Sequence, residues 1–211
     1  MATIIEVLKT KTISGEFDYN LLLSCLSKYK RPRDQITKLI KNNYILPIKK
    51  GLYIFGPKAY GKIYSLEILA NQIYGPSYIS KEYALSYYGM IPEKVIMITS
   101  ITNKRNKYFS TPIGNFSYQY LATEKYQVAI TQAQINKTTN FLIATKEKAL
   151  IDKIWKIKNI KSSTDLYNLL VKDLRIEEEE LVKLNIKKIQ TIQKYFQKNI
   201  IHLLIKLIQE L

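Results

Sequence analysis

Between Arg31 and Phe55 the chain reads RPRDQITKLIKNNYILPIKKGLYIF, a segment with few choices of local structure. Ile36, Leu39 and Ile40 recur at helical spacing, and Pro32 stands where its fixed φ suits a first helical turn. At 100° per residue that stripe leaves Arg33, Asp34, Thr37, Lys38 and Lys41 on the opposite face. Beyond it, Ile45 to Ile48 and Leu52 to Phe55 alternate apolar with other residues around a Lys49-Lys50-Gly51 turn, which predicts a hairpin. A basic helix followed by a basic hairpin is the order of parts in a winged helix. There the helix enters the major groove of DNA and the wing meets neighbouring phosphates.

The charge is concentrated in the same place. Lys28 to Lys50 holds eight basic residues (Lys28, Lys30, Arg31, Arg33, Lys38, Lys41, Lys49 and Lys50) against Asp34 alone. The whole chain carries 33 Lys and Arg against 17 Asp and Glu, a formal net charge of +16, which points to a polyanionic partner. Charge by itself leaves DNA, RNA and an anionic membrane open; its placement favours duplex DNA. In that reading Arg33 reaches guanine edges, and Thr37 reaches a phosphate or a thymine methyl. Lys38 and Lys41 meet phosphates along the groove. Lys30 and Arg31 precede the helix, where backbone N–H groups also favour a phosphate. Lys49 and Lys50 at the wing tip touch the adjacent backbone or minor groove. Arg31 is a poor N-cap for such a helix. The competing reading is a winged helix whose basic face docks an acidic protein and never meets DNA.

The 211 residues, 46% of them hydrophobic, are ample for a buried core. The expected class is α+β: an N-terminal winged helix-turn-helix over residues 1–58, then a larger mixed domain over 59–211 with a small antiparallel sheet and C-terminal helices. Helices are expected at Ile4–Lys11, Phe17–Tyr29, Tyr60–Tyr74 (with Ile63 in its buried stripe) and Tyr83–Tyr88, the last capped by Ser80 and stopped by Gly89. From Val95 to Ala144 the period shortens towards two. Val95–Ile101, Lys107–Ser110, Asn115–Ala122, Lys125–Thr131 and Phe141–Ala144 are predicted strands, joined by connections too short for crossover helices. Helices return at Lys146–Lys156 and Asp165–Leu174, at the acidic start Glu177–Glu180, and in the apolar run from Asn199 to Leu211. The strings KEYAL (Lys81–Leu85) and KEKAL (Lys146–Leu150) read as two helix starts of similar chemistry.

Catalytic chemistry finds little support. Cys25 is the only cysteine, which excludes an intrachain disulfide and a Cys-based zinc site. His202, the only histidine, falls on the polar side of the last helix. No phosphate-binding glycine loop and no H-E-x-x-H string occurs. The seventeen tyrosines fit strand packing better than base stacking, and no RNP-like string accompanies them. The expectation is a protein with no enzyme activity, no catalytic residues, no cofactor and no metal. The N-terminus lacks a signal-peptide pattern and the C-terminal apolar run is too short to span a bilayer, so a cytoplasmic protein with no membrane partner is expected.

Pro76 to Thr102, PSYISKEYALSYYGMIPEKVIMITSIT, resembles the "YIS-x-x-x-AL-x-x-x-G-L-IPE" signature of AbiEi-type antitoxins of type IV toxin–antitoxin systems, with Met90 where Leu is usual. The order around it is similar to that family's: a K-x-G-L-Y hairpin before it (Lys49, Gly51, Leu52, Tyr53) and an A-x-x-E-K-A-L-x-D helix after it (Ala144, Glu147, Lys148, Ala149, Leu150, Asp152). The resemblance covers about residues 1 to 160. It implies an antitoxin whose winged helix binds inverted repeats in double-stranded operator DNA and represses its own operon. It also implies a nucleotidyltransferase-like toxin as the cognate partner, counteracted without a stable complex. Tyr78, Ser80, Ala84, Leu85, Gly89 and Pro92 are read as fold architecture, and the helices after Lys161 lie outside the pattern.

Overall fold

Residues 2–59 and 64–211 are described by a computed structural model of the chain. The first part runs α1 (Ala2–Lys11), β1 (Glu16–Asp18), α2 (Tyr19–Cys25), α3 (Pro32–Lys41), β2 (Ile45–Lys49) and β3 (Leu52–Phe55). Its three strands form an antiparallel sheet in the order β1-β3-β2. One face of that sheet, with Ile45, Tyr53 and Phe55, closes a small core against α1, α2 and α3. Two glycines shape the hairpin. Gly51 takes φ +85° in the turn, where a side chain would be strained. At Gly56 the chain leaves β3 against the end of α3, where a Cβ would lie 2.4 Å from the Asn43 carbonyl oxygen.

A helix was expected from Phe17, but Glu16–Asp18 is a strand. Phe17 pairs with Tyr53 and packs its ring against Tyr53 and Phe55, a long-range contact that helical periodicity does not register. Asp18 then caps α2, its carboxylate accepting from the Leu21 N–H at 2.8 Å.

The second part begins with α4 (Leu66–Ile73), capped by Ser65, whose hydroxyl accepts from the Glu67 and Ile68 N–H groups. α4 starts at Leu66, and the part of the expected Tyr60–Tyr74 helix over 60–63, with Tyr60 and Ile63, lies outside the described residues. Next come β4 (Ser77–Ile79), α5 (Lys81–Tyr87), β5 (Ile98–Thr102), β6 (Lys107–Thr111), β7 (Gly114–Tyr120), α6 (Thr123–Tyr126), β8 (Ile130–Asn136), β9 (Thr139–Ala144) and α7 (Lys146–Ile154). The chain closes with α8 (Ser163–Tyr167), prolonged by a π-helical turn (Asn168–Asp173), then α9 (Glu178–Val182), α10 (Ile186–Phe196) and α11 (Asn199–Glu210). α10 is not among the expected helices. Lys125–Thr131, expected as a strand, splits into α6 and the start of β8.

The six strands form one sheet in the order β6-β7-β5-β4-β9-β8. It is mixed rather than antiparallel, because β5 pairs with β7 and β4 with β9 in parallel. A parallel pair normally needs a crossover helix. Here β6 makes the return for β5 and β7, running antiparallel along the outer edge of β7, so short connections suffice. Alternation along β4 sorts the flanking helices. Ser77 reaches the Ala70 carbonyl of α4, whereas Tyr78 and Ser80 reach Asp152 of α7. KEYAL and KEKAL both open helices, α5 and α7, each just after one of the parallel strands β4 and β9.

The larger core also takes in Ile48, Leu52 and Ile54, so the β2–β3 hairpin is buried on both faces. The first three helices and the rest of the chain thus share a structural element.

Several tyrosine hydroxyls are spent on internal oxygen acceptors: Tyr118 donates to Ala70 O (2.6 Å), Tyr88 to Ala144 O (2.8 Å) and Tyr83 to Glu67 Oε1 (2.6 Å). Burial raises the pKa of each, that of Tyr88 to about 12. A raised folded-state pKa means stability that is complete below the unfolded value near 10 and is lost as pH climbs through the folded values. Thermal melting is expected to be unaffected by these groups up to about pH 10 and to fall steeply above it. Exposed tyrosines such as Tyr108 and Tyr120 ionise near pH 10 in the folded protein, so phenolate absorbance near 295 nm should rise in two steps, the second together with unfolding; complete ionisation of all seventeen tyrosines in a still folded protein would contradict the burial.

Candidate nucleic-acid interface

Pro32 opens α3, and Ile36 and Leu39 fix it on the small core. That orientation forces the remaining positions outward. Arg33, Thr37, Lys38 and Lys41 are all exposed, as are Lys28, Lys30 and Arg31 ahead of the helix and Lys50 in the hairpin turn. Arg31 makes no side-chain cap. Thr37 donates its hydroxyl back to the Arg33 carbonyl at 3.1 Å, leaving the oxygen lone pairs and the methyl group for contacts. Among the described residues none of the seven exposed cations from Lys28 to Lys50 takes part in an ion pair.

Lys49 differs from the rest. Its ammonium donates to the Gln72 and Ile73 carbonyl oxygens, at 2.9 and 2.6 Å, at the C-terminal end of α4. A cation is favourable there because the last carbonyls of a helix lack partners and carry the negative end of the dipole. Burial, followed by the nearby Lys104 charge, lowers its pKa. Lys49 therefore anchors the hairpin to the second part of the chain, and Lys50 is the free charge of the turn. Lys49→Met is expected to cost about 1 kcal/mol of stability, whereas Lys50→Ala should leave the melting temperature unchanged. Equal melting of both variants and wild type would mean that the Lys49 anchor contributes nothing.

The proximity of Lys104 identifies a further basic segment. The β5–β6 connection, residues 103–106, carries Lys104 and Arg105, both exposed, next to the β2–β3 hairpin. The Lys104 ammonium donates to the Gly75 carbonyl at 2.6 Å. Neither residue is among the expected DNA contacts, because only the fold brings Lys104, with Arg105 next to it in the chain, to the neighbourhood of Lys49. The signal was the basic turn NKRNK (Asn103–Lys107).

A second polar constellation lies in the interior. Lys148 is ion-paired with Asp152 one turn along α7, both with fully buried side chains. The Lys148 ammonium also donates to the Tyr78 hydroxyl (2.7 Å) and lies 4.9 Å from the centre of the Phe196 ring. Asp152 Oδ2 accepts from Tyr78 (3.0 Å) and Ser80 (2.8 Å). The Ser80 hydroxyl, expected to cap α5, is engaged here instead and makes no cap bond. Burial lowers the Lys148 pKa, against the pull of Asp152, and raises that of Tyr78. Tyr78, Ser80 and Lys148 are fully buried and Asp152 almost so, which leaves a substrate no approach; the cluster ties β4, α7 and α10 together. Cys25 is half-buried at the end of α2, and His202 is exposed on α11.

No helix of the described residues is long and apolar enough to cross a membrane. Neither the models of known protein families nor the curated proteins give a match to this chain.

Proposed function

We propose that the protein binds duplex DNA, with α3 in the major groove and the β2–β3 turn on the adjacent backbone. The observation that carries this reading is the set of exposed, unpaired cations on α3 and its flanks, presented by a helix whose other side is held in a core. The order α1-β1-α2-α3-β2-β3, with β3 central in its sheet, supports reading the first part as a winged helix. In this arrangement Arg33 reads base edges, Thr37, Lys38 and Lys41 follow the groove, and Lys30, Arg31 and Lys50 hold phosphates. Lys104 and Arg105 extend the basic surface beyond the hairpin. Taken with the motifs shared with AbiEi-type antitoxins, the function is that of an antitoxin repressing its own operon, its remaining mass directed against a nucleotidyltransferase-like toxin.

The test is fluorescence anisotropy with the duplex upstream of the gene, over a range of salt. About six phosphate contacts give a slope of log K against log salt of about −5. Arg33→Ala should flatten the preference for this duplex over a scrambled one, while Lys50→Ala weakens both alike. No binding to the upstream duplex even at low salt would favour a basic face that docks an acidic protein.

A further inference from the structure

The larger sheet is covered unevenly. Tyr118 of β7 donates to the Ala70 carbonyl of α4, so by alternation Ser117 and Gln119 face the other way, towards α5 and α7. Gln119 accepts there from the Lys81 ammonium at the start of α5, at 2.8 Å. Tyr108 of β6 registers with Ser117 and shares this face. It is 56% exposed, and Ser110 and Asn115 next along the face are exposed too, so β6 and β7 lie open there.

Cations gather at the border of that open face. Lys81 is half-buried, within electrostatic reach of Lys153 in α7 and Lys156 just after it. Lys153 is paired with Glu82 at 2.5 Å, whereas Lys81 has the neutral amide oxygen of Gln119. Burial lowers the Lys81 pKa; Glu82 and Asp152 oppose the fall, and Lys153 and Lys156 add to it. Trp155 comes next, half-buried, with the Lys125 and Lys156 ammoniums 5.2 and 5.0 Å from its ring centre. Among the described residues Lys81, Lys125 and Lys156 take part in no ion pair.

We propose that this surface binds a single strand of nucleic acid, with bases stacked on Tyr108 and Trp155 and phosphates on Lys81, Lys156 and Lys125. Aromatic rings interleaved with cations on an open polar face suit a strand whose bases are unpaired. A duplex hides its base faces and would leave both rings with nothing to stack on. Lysine ammoniums act on phosphate as point charges, so the surface selects for strandedness rather than for sequence. It shares no residue with the α3 surface.

Trp155 is the only tryptophan, so its fluorescence reports on this site alone. Oligouridylate or oligothymidylate of about ten nucleotides, added to the full chain at low salt, should quench it. Tighter binding of the uridine strand assigns the site to RNA, and tighter binding of the thymidine strand to DNA. Three phosphate contacts give a slope of log K against log salt of about −2, most of which Lys81→Gln with Lys156→Gln should remove. Tyr108→Ala should weaken binding about tenfold and Tyr108→Phe, which keeps the ring, should not, each with an unchanged circular dichroism spectrum. A chain with Arg33, Lys38 and Lys41 replaced by Glu should be quenched as wild type is; loss of quenching there would put the strand on α3 and overturn the proposal. No quenching by either strand, equal quenching by the same strand annealed to its complement, or wild-type binding by Tyr108→Ala would overturn it too.

Discussion

Replacing Arg33, Lys38 and Lys41 together by Glu is expected to lower affinity for duplex DNA about a thousandfold at moderate salt. The triple change turns three cations of α3 into three anions, so each lost phosphate or base contact becomes a repulsion. All three side chains are exposed and, among the described residues, take part in no ion pair, and Glu is a good helix former. The fold should therefore survive, with a circular dichroism spectrum and melting temperature close to wild type. An unchanged affinity in a folded variant would remove α3 from the interface.

The second large effect concerns stability. Asp152→Ala leaves the buried Lys148 ammonium with the Tyr78 hydroxyl and the Phe196 ring but no counter-charge. Breaking a buried pair in this way costs about 3–5 kcal/mol, a large share of the ~5–15 kcal/mol that holds a typical domain together. In a chain of this size that corresponds to a melting temperature lower by about 10 °C. The double variant Lys148→Met with Asp152→Leu removes both charges and both desolvation costs, and should melt well above the single variant. Urea unfolding of the wild type, both single variants and the double variant measures the coupling. Additive losses would mean that the pair is not an interacting unit.

The sequence makes some of these elements plain and hides others for physical reasons. α3 and the β2–β3 hairpin are legible because each carries its own signal: a helical apolar stripe behind a proline, and alternation around Lys-Lys-Gly. β1 is not, because three residues carry too little periodicity and Phe17 is held by Tyr53 and Phe55 far along the chain. The parallel pairs β5–β7 and β4–β9 depend on which strands meet, and alternation within a strand says nothing of its neighbour. The same limit governs side-chain roles. Lys49 looks like a wing-tip cation until α4 is placed beside it, and Ser80 looks like a helix cap until Asp152 arrives from 72 residues away. Lys104 escapes notice because its place beside Lys49 is created by the fold, and Arg105 follows it in the same connection.

That α3 and the β2–β3 turn are the surfaces that meet a duplex is tested most directly by nuclear magnetic resonance of the backbone amides, followed as upstream duplex is added. The largest changes should fall on Arg31 to Lys41 and on Lys50 and Gly51, with smaller ones at Lys104 and Arg105. Changes confined to α10 and α11, with those of α3 and the turn unmoved, would contradict this placement of the interface.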